Sequence, residues 1–384
     1  MVLKAAGRGK ISPFIVMEVM EAANARAAAG DDVFHLEVGQ PGTGAPAGVL
    51  AAAKAALESD RLGYTEALGL PDLRRRIARH YQEYYGIDVA MERVVVTTGS
   101  SGAFLLSFLA AFDPGDRVAL ANPSYPAYRN ILKALDITAV TLAADAGTRF
   151  QPTVDLLRGA DGPLDGLIIA SPSNPAGTML DGAQLETLSG HCQAHGIRLI
   201  SDEIYHGITY GRRAATMLAI NNDAIVINSF SKYFSMTGWR LGWMVVPSAL
   251  ARAVECLTQN LFISPPTLSQ LAAIAVFDCR DELDANVARY ERNRALLLEH
   301  LPKAGFERLA PADGAFYLYA DVTGLAANSE ELCRRMLAET GVATTPGIDF
   351  DPERGGRYLR FSYAGSTADM EAAMARLMAW RRKM

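Results

Sequence analysis

Between residues 94 and 247 the chain repeats one pattern, and that pattern limits the folds open to it. Short apolar runs recur, each bounded by turn-forming residues: VVVTT (94–98), VALAN (118–122), AVTLA (139–143), LIIAS (167–171), IRLISDE (197–203), AIVINSF (224–230) and GWMVVP (242–247). Helical stretches separate most of them. Runs of this length that are apolar throughout, without polar alternation, belong to strands buried on both faces. Such strands joined through helices make an α/β fold with a mainly parallel sheet of about seven strands between helices. The last two runs lie so close in sequence that one strand is expected to run antiparallel.

The flanks read differently. Ser12-Pro13 has the form of an N-cap followed by proline, predicting a helix through about Ala29. An alanine-rich helix follows Pro46, and LGYTEALGLPDLRRRIARHY reads as a glycine-punctuated loop and a second helix. Beyond Pro266 come the long charged segment DELDANVARYERNRALLLEHL, the runs AFYLYAD and YLRFSYA, and a helix from Ser329 between them. Strands and helices segregate there, which predicts a small α+β domain. The expected division is 1–45 for an N-terminal segment and part of the small domain, 46–285 for the large domain and 286–384 for the C-terminal small domain.

Composition excludes several classes. Half of the 384 residues are apolar, enough for a large core. The net charge is −5 with no basic block, so a nucleic-acid surface is not expected. No apolar run approaches the roughly 20 residues of a membrane span. Lys4, Arg8, Lys10 and Glu18 interrupt any signal-peptide core. Cys192, Cys256, Cys279 and Cys333 lack CxxC spacing, which fits reduced thiols in a cytoplasmic protein and no metal framework. His191 and His195 read as one exposed helix face.

In open parallel sheets ligands bind outside the carboxyl ends of the strands. The polar residues collect there. Gly99-Ser100-Ser101-Gly102 follows the first run and opens a helix, the form of an anion site. Pro123-Ser124-Tyr125 follows the second, Ser173-Asn174-Pro175-Ala176-Gly177 the fourth, Asp202-Glu203-Ile204-Tyr205 stands at the end of the fifth, and Ser229, Ser231 and Lys232 at the end of the sixth. Each has an ordinary reading: a helix start, a turn, a helix cap, a half-buried tyrosine, a solvated lysine. Together on one sheet edge they describe a ligand with an anionic end, a flat aromatic middle and an aldehyde. Tyr125 offers a ring face. Asp202 can hold a protonated ring nitrogen, and Asn174 and Tyr205 can donate to a ring oxygen. Ser100, Ser229, Ser231 and the fork of Arg240 suit a phosphate. Lys232, one of only seven lysines, is placed to form a Schiff base. The ligand so described is pyridoxal 5'-phosphate.

At these residues the chain resembles the class I/II aminotransferases, the fold-type-I pyridoxal-phosphate enzymes, from about Ser12 to its C-terminus. SFSKYFSMTGWRLG resembles the family's lysine signature, SPSNPAGT its asparagine turn and SDEIY its aspartate-tyrosine strand. The resemblance implies catalytic roles for Lys232, Asp202 and Tyr205. It implies cofactor contacts from Ser100, Ser101, Tyr125, Asn174, Ser229, Ser231 and Arg240, with Tyr64 reaching a partner subunit's phosphate in a homodimer. Gly39, Asn174 and Arg360 would meet the substrate, Arg360 by gripping its carboxylate. The implied reaction is ping-pong transfer of an amino group between an L-amino acid and a 2-oxo acid. In a related bacterial aspartate branch a lysine stands at about the position of Ser101. Here the position is Ser and residues 103–106 are apolar, so a neutral or aromatic donor is expected. A C–S β-lyase of the same fold and an aspartate aminotransferase are the alternatives.

Overall fold

The computed structural model describes residues 3–59 and 61–383. All seven expected runs are strands of one sheet. In chain order, after a short strand β1 (Phe34–His35), they are β2 (Val94–Thr97), β3 (Arg117–Asn122), β4 (Thr138–Ala143), β5 (Gly166–Ala170), β6 (Arg198–Asp202), β7 (Ile225–Ser229) and β8 (Gly242–Val245). Their spatial order is β2-β8-β7-β6-β5-β3-β4. Strand β8 runs antiparallel to both neighbours, and the other pairings are parallel. The carboxyl ends of β3, β5, β6 and β7 therefore share one edge with the end of β2.

Mostly apolar runs serve here because alternate side chains enter different cores. Val95, Ile200, Ile225 and Ile227 join one buried cluster, and Val94, Val96, Leu199 and Val226 join the other. The first cluster continues into a second sheet through Phe316, Leu318 and Phe361. That sheet comprises β9 (Arg308–Leu309), β10 (Tyr317–Asp321), β12 (Thr345–Pro346) and β13 (Tyr358–Ser362), in the order β12-β13-β10-β9. β11 (Val342–Ala343) pairs in parallel with β1, tying the N-terminal segment to the C-terminal part. The helix Arg280–His300 spans the expected boundary at 285/286 without a break, with Leu283 in one core cluster and Leu297 in the other. Among the described residues no helix is long and apolar enough to cross a membrane.

One expected helix start is corrected. Ser12 is not an N-cap; the helix runs Ile15–Ala28 and no side chain of its own caps it. The Asp349 carboxylate instead accepts from the Ile15 and Val16 N–H groups, at 3.2 and 3.3 Å. A remote carboxylate satisfies the free N–H groups that Ser12 was expected to serve, and the helix begins two residues further on.

Candidate active site

At the carboxyl edge of the sheet a cavity of about 200 Å³ opens, roofed by the second sheet and the N-terminal helix. Its wall includes Lys232, Asp202, Tyr205, Ser100, Ser101, Tyr125, Asn174, Ser231, Arg240, Gly39 and Arg360. Residues up to 321 positions apart in sequence thus meet in one place. Two predicted residues are not on this wall. Ser229 is fully buried behind it, accepting from the Ser231 N–H at 3.1 Å and donating to the Leu241 carbonyl at 3.4 Å. It sits inside the turn that follows β7, held there by these two bonds, and Ser231, beyond the end of the strand, reaches the wall instead. Tyr64 is 83 % exposed on the chain's outer surface.

Lys232 is partly buried just past β7, and its ammonium donates to the Gly39 carbonyl at 2.6 Å. Withdrawal from water, together with the charges of Arg360 and Arg240 and against that of Asp202, lowers its pKa to about 8. Gly39 is required by space: a Cβ there would lie 1.9 Å from the Tyr317 hydroxyl. Asp202 ends β6 on the floor of the cavity. Its carboxylate accepts from the Tyr128 hydroxyl and, at 3.0 Å, from the Ile204 N–H. Burial raises its pKa to about 6 despite those bonds.

The anion end is built from a helix start. The helix Gly99–Ala111 has no side-chain N-cap, so its first N–H groups are free beside Ser100 and Ser101. Gly99 has a φ of +70° and packs against the Arg240 guanidinium, where a Cβ would meet Nη2 at 2.6 Å. Arg240 itself has a φ of 51°, a left-handed conformation costing about 1–2 kcal/mol, and this turns its side chain toward the helix start.

At the other end Arg360, in β13, is 3 % exposed. It donates to Asn174 Oδ1 at 2.8 Å, to Thr345 Oγ1 at 3.2 Å and to the Glu37 carbonyl, while its Nε has no partner. The guanidinium lies over the rings of Tyr317 and Phe350, at 4.3 and 4.8 Å. With its oxygen held by Arg360, the Asn174 amide points its NH2 the other way. Tyr205 and Tyr317 share a 2.7 Å hydroxyl contact.

Sequence reasoning missed Tyr128, Tyr317 and the Phe14–Val16–Met17 wall. Tyr128 had a signal, standing three residues beyond Tyr125 on a helix opened by Pro126. Tyr317 had none within AFYLYAD, where it read as a strand residue.

A parallel sheet that gathers a lysine of lowered pKa, a buried carboxylate, an uncapped helix start and an arginine fork at its carboxyl edge defines an α/β enzyme. The chain belongs to the aminotransferase class I and II family, which matches residues 31–377, and it is an amino-acid aminotransferase. It is 51 % identical over 377 residues to the valine–pyruvate aminotransferase of Mycobacterium tuberculosis, covering 97 % of each chain. It is 31 % identical to the aspartate/prephenate aminotransferase of Thermus thermophilus, covering 90 % of each. Among solved structures, an aminotransferase from Mycobacterium tuberculosis superposes with a TM-score of 0.98 at 50 % identity, over 100 % of both chains. The Thermus thermophilus aspartate aminotransferase with maleate gives 0.93 at 28 % identity, again over 100 % of both.

Proposed function

We propose that this aminotransferase holds pyridoxal 5'-phosphate on Lys232 and takes a small neutral amino acid as donor, in the manner of the valine–pyruvate relative. One observation carries the choice of donor. Lys232, Arg240 and Arg360 are the only lysine or arginine side chains on the described cavity wall. Each has a task, so none remains for a second carboxylate. The N-terminal part of the wall, Phe14, Val16 and Met17, is apolar. A distal carboxylate left unpaired there costs about 1–3 kcal/mol, roughly tenfold or more in selectivity.

The residues present fit the cofactor: a buried carboxylate for the ring nitrogen, an uncapped helix start for the phosphate and an amine of lowered pKa for the aldehyde. When bound, pyridoxal phosphate supplies the electron sink that accepts the pair left when the substrate Cα–H bond breaks. Asp202 keeps a proton on the ring nitrogen through its charge, and Tyr128 holds that carboxylate in place. The Asn174 NH2 and the Tyr205 hydroxyl donate to the ring oxygen, and Tyr125 covers a ring face. Ser100, Ser101, Ser231 and Arg240 bind phosphate. Arg360 binds the substrate carboxylate, giving its free Nε a partner, and so orients Cα. With the substrate in place, Lys232 would be the group that takes the Cα proton, on Nζ, and holds it for return. A homodimer in the cytoplasm, divided at residues 45/46 and 285/286, completes the reading; the exposed Tyr64 supports the dimer.

Borohydride reduction of the holoenzyme followed by peptide mapping should label Lys232, and a label on another lysine would overturn the site. A panel of alanine, valine, phenylalanine and aspartate with pyruvate as acceptor should rank aspartate last in kcat/KM. Aspartate leading by tenfold would reject the neutral donor.

A further inference from the structure

The loops carrying Asn174 and Tyr205 leave adjacent strands, β5 and β6, and one buried imidazole joins them. His206 directs Nε2 at the Ser171 carbonyl, 2.9 Å away, and Nδ1 at the Tyr85 hydroxyl, 2.6 Å away. A carbonyl only accepts, so Nε2 carries the hydrogen, Nδ1 is the acceptor and Tyr85 donates to it. The opposite tautomer would set Nε2 and the Ser171 oxygen face to face as two acceptors. Burial lowers the imidazole pKa to about 4, which keeps it neutral. Glu203 stands behind, its Oε2 at 3.4 Å from Nδ1 and without a hydrogen bond of its own. Burial raises that carboxyl to about 7.

None of His206, Tyr85, Glu203 and Ser171 lines the cavity. Yet Ser171 lies three residues before Asn174, and His206 directly follows Tyr205. The bridge is therefore a strut between the two groups assigned to the ring oxygen.

We propose that His206 is a positioning residue whose imidazole, in the tautomer fixed by Tyr85, sets the placement of Asn174 and Tyr205 and so governs the protonation of the Lys232 nitrogen once it carries the cofactor. This rests on the assignment of Asn174 and Tyr205 to the ring oxygen. Donors at that oxygen stabilise its anion; when they drift away the oxygen becomes more basic, and the proton it shares with the Lys232 nitrogen is retained to higher pH.

The test follows the cofactor's absorbance against pH in the holoenzyme. His206→Phe should raise the transition midpoint by about half to one pH unit, the size of one weakened charge-assisted hydrogen bond. His206→Gln, which can keep an N–H on the Ser171 carbonyl, should stay close to wild type. Tyr85→Phe should move the midpoint in the same direction by less. Should His206→Phe fail to fold, a wild-type midpoint in Tyr85→Phe overturns the proposal. Asn174→Ala in the same assay separates the two levels: no shift there removes the ring-oxygen assignment and the proposal with it. A shift in Asn174→Ala beside wild-type midpoints in His206→Phe and Tyr85→Phe overturns the role of His206 alone.

Discussion

Asp202 is held against its own preference. Its carboxyl titrates near 6 where 3.8 is ordinary, because two hydrogen bonds do not replace the lost hydration. A raised carboxyl pKa means that the folded chain binds the proton more tightly than the unfolded one. The contribution of Asp202 to stability is then greatest below about pH 4, falls as pH rises to about 6, and stays reduced above that. Asparagine carries no such cost and can still accept from Tyr128. Cofactor-stripped Asp202→Asn should melt above wild type at pH 8, by about 2 kcal/mol, with the gain fading near pH 4. With cofactor restored it should lose about 10²–10³ in kcat, on the scale of removing one electrostatic partner from a reacting centre. Thermal melts at the two pH values and steady-state rates check both halves; a less stable, fully active variant contradicts them. The carboxylate and Lys232 were legible in the sequence because each closes an apolar run at the sheet edge. Tyr317 was not, because its nearness to Gly39 and Arg360 exists only once segments some 40 to 280 residues apart have packed.

The element with the least local information is the helix Ile15–Ala28. Seven strands could be read because short apolar runs state their own environment: six of them bury at least four residues each, and β4, at the edge of the sheet, buries Leu142. This helix takes its starting point from Asp349, more than 330 residues away. A carboxylate at a helix N-terminus meets both free N–H groups and the positive end of the helix dipole. The same helix and the residue before it bring Phe14, Val16 and Met17 to the cavity, so the cap and the wall move together. Asp349→Ala should cost about 1–2 kcal/mol of stability and raise KM for the donor several-fold. Arg360, Asp202 and Lys232 keep their places, so kcat should change little. Thermal melting with steady-state kinetics tests this, and an unchanged KM would mean that the wall does not read the donor.

At the scale of the molecule, the proposed dimer makes a demand that one chain leaves open. Tyr64, Leu261 and Ile263 are large apolar side chains exposed to 83, 48 and 53 %. The segments that carry Tyr64 and Ile263 are tied together: the Thr65 N–H donates to Ser264 Oγ at 3.4 Å, and the Thr267 hydroxyl to the Gly63 carbonyl at 2.6 Å. Ile263 also has a φ of 66°, a conformation that β-branched residues avoid and that costs on the order of 1–3 kcal/mol. A strained isoleucine facing water gains nothing in an isolated chain, whereas burying its side chain against a second copy is worth about 1.5–3 kcal/mol. Contiguous exposed apolar patches mark sites of protein contact. Light scattering at micromolar concentration should therefore give twice the 41.3 kDa chain mass. Ile263→Asp places a charge in the patch and should shift the population toward monomer. Tyr64→Phe should leave the dimer intact and weaken only cofactor retention, since it removes a hydroxyl and no apolar area. A fully active wild-type monomer would end the argument, and a dimer untouched by Ile263→Asp would move the interface elsewhere on the surface.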